Sequence, residues 1–331
     1  WEETAMTNVG IDFMALRNRL TLTADWYVKN TKDILLNVPI PISTGGANDP
    51  IRNAGKIRNQ GFEFNLGWNE SLNKDLSYGV SFLGTYNKNE VVEMGAESQV
   101  ITGGTIHGGT YTSRTLAGYP IGGFWLIPTD GYFNSTEEVQ AHQKDGVLIQ
   151  PSAEPGDIRF KDTNNDGTIN DEDRVYCGSP FPKFTYSING NITYKNVDFS
   201  IGFQGVTGNK IYNATKLELT DVTRGTNYLA STLDYWTPEN PSNTYARLEA
   251  QGPDGATGAQ RLHNRNFIRL DNISLAYTLP QKLTKKWQID RVKLYATVRN
   301  VATWAADWEY ADPETGGLAT RTYTFGLNLT F

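Results

Sequence analysis

"RTYTFGLNLTF", Arg321–Phe331, closes the chain with a strict alternation. Tyr323, Phe325, Leu327, Leu329 and Phe331 are apolar, and Thr322, Thr324, Gly326, Asn328 and Thr330 between them are small or polar. Successive side chains point to opposite faces of a strand, so the stretch reads as a β-strand with one oily face and one wet face. The same rhythm recurs upstream. In "RLTLTADWYVKN", Arg19–Asn30, Leu20, Leu22, Ala24, Trp26 and Val28 oppose Thr21, Thr23, Asp25, Tyr27 and Lys29. "GFEFNLGWNE" (Gly61–Glu70), "FTYSINGNITYK" (Phe184–Lys195) and "VDFSIGFQG" (Val197–Gly205) repeat it.

A soluble sandwich also alternates. Three features favour a transmembrane β-barrel. The strands approach the roughly 9–11 residues that cross a bilayer. Tyr and Trp (Trp26, Trp68, Tyr86, Tyr194, Tyr277) recur near segment ends, as in interfacial girdles. Short turns at Arg17–Asn18, Ser71–Asp75, Lys195–Asn196 and about 280–290 alternate with long connections at about 31–55, 93–181, 208–264 and 303–319. Outer-membrane barrels place short turns on the periplasmic side and long loops outside.

The expected strands lie near 5–16, 19–30, 56–70, 76–92, 182–194, 197–207, 266–279, 290–301 and 320–331. With every long loop extracellular, the C-terminus is periplasmic. In "FIRLDNISLAYTLP", Ile268 and Leu270 have one parity and Ile273, Leu275, Tyr277 and Leu279 the other, so a β-bulge is expected near Asp271–Asn272. Nine strands is an odd count, whereas single-chain bacterial barrels have even ones. An open arc in lipid would leave backbone groups unpaired, so either more strands precede Trp1 or one strand here escapes the pattern. The opening in mid-strand, without Met or signal peptide, marks the chain as a piece of something longer.

Composition agrees. Aromatics make up 12% and Gly numbers 32, a mixture suited to strands and turns. The net charge of −6 argues against nucleic acid as a partner. No apolar run reaches the 18 or so residues of a transmembrane helix. The single cysteine, Cys177, reads as a loop residue.

Several segments, in order, resemble SusC-like (RagA/SusC family) TonB-dependent transporters of Bacteroidetes outer membranes. They are "WEETAMTNVGIDFMALRNRLTLTADWYVKNTKDILLNVPIP" from Trp1, "NAGKIRNQGFEFNLGWN" from Asn53, "GYPIGGFW" from Gly118 and "TDGYFNS" from Thr129. "PGDIRFKDTNNDGTINDEDR" from Pro155, "PFPKFTYSINGNITYKNVDFSIGFQG" from Pro180, "YWTPENP" from Tyr235, "FIRLDNISLAYTLP" from Phe267 and the closing strand complete the series. The resemblance implies a barrel of about 22 strands with a plugged lumen. This chain, 1–331, would be its C-terminal arc, with 93–181 and 208–264 as long extracellular loops. The plug and early strands would lie upstream. It further implies import of a glycan oligosaccharide or peptide, powered by the TonB–ExbB–ExbD complex. A SusD-like surface lipoprotein would act as the lid. Tyr323, Phe325, Leu327, Leu329 and Phe331 resemble the signal read by the barrel-assembly machinery, since a regular strand end can template pairing.

One motif carries chemistry. "DTNNDGTINDED" has EF-hand spacing, with Asp162, Asn164 and Asp166 at positions 1, 3 and 5, Gly167 at 6, Thr168 at 7, Ile169 at 8 and Asp173 at 12. Oxygens so spaced can wrap Ca²⁺. Asp in place of Glu at 12 lowers the expected affinity to about 10⁻⁴–10⁻³ M. A solvated Asx-rich turn is the plainer reading. The expected role is structural, pinning the 93–181 loop.

Loop aromatics Trp125, Tyr132, Tyr228, Tyr235, Trp236, Trp304 and Trp308 are weak candidates for substrate contact, because flat rings stack on sugars and pack on apolar peptides. The plainer reading is loop packing or the upper membrane girdle. His107, His142 and His263 lack ligand spacing, and Glu2–Glu3 and Glu137–Glu138 read as solvated pairs. "ITGGTIHGGTYTS" reads as a mobile loop rather than a phosphate cradle. Ser135 and Glu138 are expected to cap a short helix. No catalytic arrangement is legible, so an enzyme is not expected. A passive porin, a surface glycan-binding module and a secreted glycan-cleaving enzyme are the competing functions.

Overall fold

The computed structural model describes residues 1–37, 51–53, 55–95, 100–103, 105–106, 110–220, 227–242, 244–248, 258–305, 307–308 and 312–331. They form two compact bodies. One comprises Trp1–Val92, Phe181–Asn209 and Asn264–Phe331, and the other Glu93–Pro180 with Lys210–His263.

The first body is a nine-stranded sheet whose spatial order is the chain order. Its strands are β1 (Glu3–Ala15), β2 (Leu20–Lys32), β3 (Lys56–Asn73), β4 (Leu76–Glu93), β5 (Phe184–Tyr194), β6 (Val197–Thr207), β7 (Phe267–Thr278), β8 (Arg291–Ala305) and β9 (Thr322–Thr330). All nine expected strands are present. The sheet is partial, a segment of a barrel wall with β1 and β9 as its edges.

Register aligns like with like. Phe13, Leu22 and Leu66 stand side by side on β1–β3. Ile192, Phe199, Leu275, Ala296 and Phe325 continue an oily row across β5–β9. On the other face Asn191, Ser200, Ser274, Thr297 and Thr324 form a wet row. Ser274 and Thr297 hydroxyls are hydrogen-bonded at 2.8 Å. The oily face stays uncovered, with Phe325 80% exposed and Val9, Trp26, Phe62, Ile192 and Leu275 also exposed. So large an apolar area is stable only against lipid. β3 and β4, with 18 residues each, exceed the span of a bilayer.

The expected bulge is there. Pairing of β7 slips between Gly202 and Phe203 on β6 and between Leu270 and Asn272 towards β8. Against β6 Asp271 is thus the extra residue, whereas towards β8 it faces two residues, Asn300 and Val301, and Ile268 and Leu270 return to the oily face opposite Gly205 and Phe203. Left-handed residues Leu16, Arg17 and Asn18 make the first tight turn, and Lys195 helps make the third. The fourth connection is more than a turn, holding a helix at Gln281–Thr284 and a 3₁₀ turn at Lys285–Trp287.

The second body gathers the two long connections, β4–β5 and β6–β7. Ile127, Tyr132, Ile158, Phe160 and Ala246 form its core, and Ile169 packs against them. A four-stranded sheet joins Val175–Gly178, Gly123–Leu126, Ser113–Thr115 and Ile101–Thr102. The glycine-rich stretch expected to be a mobile loop therefore contributes strands, although Gly104 and residues 107–109 lie outside the described residues. Helix Thr136–Ala141 starts where the capping pattern places it. Glu138 N–H donates to Ser135 Oγ at 3.3 Å, and the Glu138 carboxylate accepts from Asn134 N–H at 2.9 Å. Among the described residues no helix is long and apolar enough to cross a membrane.

Candidate functional site

The wet face is the surface a barrel turns towards its lumen. At mid-height it is rich in asparagine. Asn65, Asn69, Ser81, Asn189, Asn191 and Ser200 line a shallow cavity of about 420 Å³. An amide both donates and accepts, so this belt can hydrogen-bond water, sugar hydroxyls or peptide groups alike. Glycines make room for it. A Cβ at Gly202 would lie 3.0 Å from Asn189 Oδ1, and one at Gly79 2.7 Å from Asn191 Oδ1. Closer to the short turns, Lys293 Nζ pairs with Asp198 at 2.7 Å, and Thr193 donates to Asp198 at 2.9 Å.

Towards the long-loop end, the wet face carries a charge cluster. Arg269, opposite Thr303 on β8, is buried and pairs with Asp312 at 2.5 Å and Glu314 at 2.6 Å. Its Nε donates to Thr303 Oγ1 at 3.0 Å. Arg265 donates to the Pro313 and Glu314 carbonyls. The connection between β8 and β9 is therefore folded onto the wet face and clamped there. Burial alone would raise the Asp312 carboxyl, but N–H bonds from Thr315 and Glu314, with Arg269, hold it below the ordinary range. The sequence carried one clue, an arginine set between Ile268 and Leu270 in a strand. Its partners, more than forty residues later, had none.

The Asp-rich loop closes on its own hydrogen bonds. Asp162 accepts N–H bonds from Asp166 (3.1 Å) and Gly167 (2.7 Å), Asn164 accepts from Asp166 (3.0 Å), and Asp166 accepts from Thr168 (2.8 Å). Those Thr168 bonds are the main reason the Asp166 carboxyl sits below its usual range. Gly167 has φ +92°, the turn that position requires. Ile169 meets the core as an apolar anchor. Positions 1 to 8 thus fit a cation loop. Position 12 is otherwise engaged: Asp173, 0% exposed, accepts from Thr163 N–H at 2.7 Å and Asn170 N–H at 2.8 Å as half of a capping box. Among the described residues no three His, Cys, Asp or Glu side chains converge as a metal would need. Beyond the loop, Arg174 donates to Asp171 at 2.7 Å and to the Tyr111 and Trp125 carbonyls, tying the loop's exit to the small sheet.

The loop aromatics separate into different environments. Trp236, 6% exposed, donates its indole N–H to Asn134 at 3.2 Å and leaves no space for a Cβ at Gly156. Trp125 is half-buried against Tyr119 and Tyr176. Tyr132 is buried and donates to the Thr244 carbonyl at 3.1 Å. Trp304, 53% exposed, stands opposite Ile268 on the oily face, in a girdle position. Tyr228 is exposed, and Tyr235 and Trp308 are half-buried.

The remaining candidates are accounted for locally. His142 ends helix Thr136–Ala141 against Phe133, and burial, with Arg159, lowers its imidazole pKa. His107 lies outside the described residues. Glu3 pairs with Lys32 at 2.8 Å, and Glu2 accepts from Leu35 N–H at 3.1 Å. Burial pushes the Cys177 thiol up. Tyr323, Phe325, Leu327 and Leu329 share the oily face of edge strand β9, and Phe331 follows it, exposed.

Comparison with known proteins places this geometry. The model of the "TonB dependent receptor-like, beta-barrel" family matches residues 1–301. TonB-dependent receptor P26 of Formosa agariphila is 30% identical across 100% of this chain and 35% of its own length. TonB-dependent receptor SusC of Bacteroides thetaiotaomicron is 29% identical across 100% of this chain and 32% of its own. The chain thus spans about a third of the length of these curated relatives. Among solved structures, the RagAB peptide transporter superposes with a TM-score of 0.82 at 22% identity, over 100% of this chain and 36% of that one, a likeness of fold.

Proposed function

This chain belongs to the TonB-dependent receptor-like β-barrel family, and from that premise we propose that it is the C-terminal wall and outer-loop portion of an outer-membrane importer. The family is one of transporters, not enzymes. The observation that carries the proposal is the oily face, uncovered across all nine strands and backed by a wet one. Such a sheet suits a wall between lipid and an aqueous lumen. Residues 93–181 and 208–264 would be extracellular, the four short connections periplasmic, and the plug and remaining strands would come from sequence outside this chain.

The cargo class we propose is a glycan oligosaccharide or a peptide. The asparagine belt supports both, because each cargo carries hydroxyl or amide groups at every unit. The partners would be a SusD-like lipoprotein lid outside and the TonB–ExbB–ExbD complex inside. The closing strand would serve the assembly machinery. Uptake of labelled oligosaccharide or peptide by cells bearing the whole protein tests this. The expected result is uptake abolished by collapsing the proton gradient or deleting TonB. Gradient-independent uptake would make it a passive porin, and surface binding without uptake a glycan-binding module.

We also propose a structural Ca²⁺ at the 162–173 loop. Asp162, Asn164, Asp166 and the Thr168 carbonyl would hold it, joined by Asp173 once released from the Asn170 N–H. The ion would supply charge neutralisation and stiffness, not chemistry. At ten times a dissociation constant of about 10⁻³ M, Ca²⁺ would stabilise the folded protein by about 1.4 kcal/mol. Calorimetry with Ca²⁺ against chelator should show that shift in the wild type and lose it in Asp162→Asn/Asp166→Asn. An identical melting temperature in both solutions refutes the site.

A further inference from the structure

We propose that the connection between β7 and β8 is a lipid anchor that binds the headgroups of anionic phospholipids at the periplasmic rim of the wall. The inference rests on the orientation given above, with the four short connections periplasmic. Three of those connections are tight turns. This one, residues 279–290, is built differently, with helix Gln281–Thr284 and the 3₁₀ turn Lys285–Trp287. It lies wholly among the described residues.

Its fold brings it to the membrane. Thr284 is fully buried, and its carbonyl accepts from Ile289 N–H at 3.2 Å, which closes the loop. Leu279 N–H donates to the Val292 carbonyl at 2.9 Å. Val292 has the oily parity of β8, opposite Leu329. It is 7% exposed, whereas Leu294, next on the same face, is 48% exposed. Helix Gln281–Thr284 packs against β8. The connection is therefore folded back over the oily side and continues the lipid-facing surface. Its own Leu283 and Trp287 are exposed. Indole rings favour the boundary between headgroups and acyl chains.

Charge selects the lipid. Lys282, Lys285 and Lys286 flank those two side chains, are all exposed, and have no ion-pair partner among the described residues. Asp290 is the one acid of the connection. The other short connections add Arg17, Arg19, Lys74 and Lys195 against Asp75, and Arg19 is neutralised by Glu70 at 3.0 Å. This rim is thus cationic on a chain that carries −6. Lysine stems lie along apolar surface while their ammonium groups reach outwards to phosphate. Each lysine close to an anionic membrane surface strengthens binding about fivefold. A soluble acidic partner would use the lysines and leave Leu283 and Trp287 in water, so apolar and basic side chains side by side favour lipid.

Tryptophan fluorescence of the full-length protein in vesicles tests this, the difference between wild type and Trp287→Phe isolating the Trp287 emission. The vesicles are phosphatidylcholine with a minority of phosphatidylglycerol. Brominated acyl chains, which quench a nearby indole, are carried by one lipid or the other. Phosphatidylglycerol should quench Trp287 as though enriched about fivefold or more over its bulk share. The enrichment should be lost at high salt and in Lys282→Gln/Lys285→Gln/Lys286→Gln. These exposed lysines stand outside the strands, so the variant keeps the wall. Equal quenching by both lipids, or enrichment unchanged in the triple variant, overturns the proposal. So does a Trp287 that neither lipid quenches, which would leave the lysines to a soluble acidic partner. Trp26 and Trp304, on the oily face, report separately, because brominated phosphatidylcholine quenches them wherever the wall sits in lipid. Loss of the headgroup preference with those rings still quenched leaves the import reading standing.

Discussion

At the scale of the residue, Asp173 shows how one side chain can hold a loop. Both its oxygens accept backbone N–H groups, and it is wholly buried. Asp173→Ala would strand two donors and should destabilise the loop body by about 2–4 kcal/mol. Limited proteolysis of the intact protein should reveal it as faster cleavage between Glu154 and Arg174, with Asp173→Asn intermediate. The sequence exposed this loop readily, because Asx residues and glycine at fixed offsets are themselves the turn chemistry. It did not reveal that position 12 turns to the backbone, since spacing says nothing about which acceptor a carboxylate chooses. Gly326 makes a similar point. It looked like one more small residue on the wet parity of β9. A Cβ there would fall within the ring of Tyr295, its cross-strand neighbour. Only the register shows which ring lies over it.

At the scale of the element, the wall and the connections were legible to different degrees. Strands announced themselves through alternation, and even the bulge at Asp271 could be placed from a parity change. Connections lack a period, so their folding depends on long-range partners such as Arg269 with Asp312. That clamp yields a prediction. Arg269→Met removes the cation and leaves Asp312 buried and unpaired, a loss on the order of 3–5 kcal/mol. Hydrogen exchange of segment 312–320 in the intact protein should accelerate, with the barrel strands unchanged. The pH dependence follows from the lowered Asp312 carboxyl. Its contribution is fully present above the ordinary carboxylate value of about 3.9 and is lost as pH falls through the lower, folded value. Exchange in this segment, corrected for intrinsic rate, should be equal at pH 7 and pH 5 and rise only below about pH 4.

At the scale of the whole molecule, the oily face makes the strongest demand. Leu327 lies in mid-strand on β9, opposite Leu294. Leu327→Arg places a charge against lipid and should cost about 2–4 kcal/mol at mid-bilayer, whereas Asn328→Arg on the wet parity should cost little. Urea titration of the full-length protein in vesicles separates the two. If the pair behaves alike, the assignment of faces is wrong. Cargo was the part least visible in the sequence. Lys216 and Tyr132, far apart in the chain, come to line one cavity only after folding, which no periodicity announces.

The two long connections do not fold as separate loops. Trp236 and Arg247 from the second engage Asn134 and Asp157 of the first, and the hairpin β5–β6 lies between them in the chain. Evolution and engineering alike must therefore treat them as one cassette. Swapping a single loop between relatives would leave half a core and an orphaned ion pair, whereas exchanging both together preserves the bonds between them.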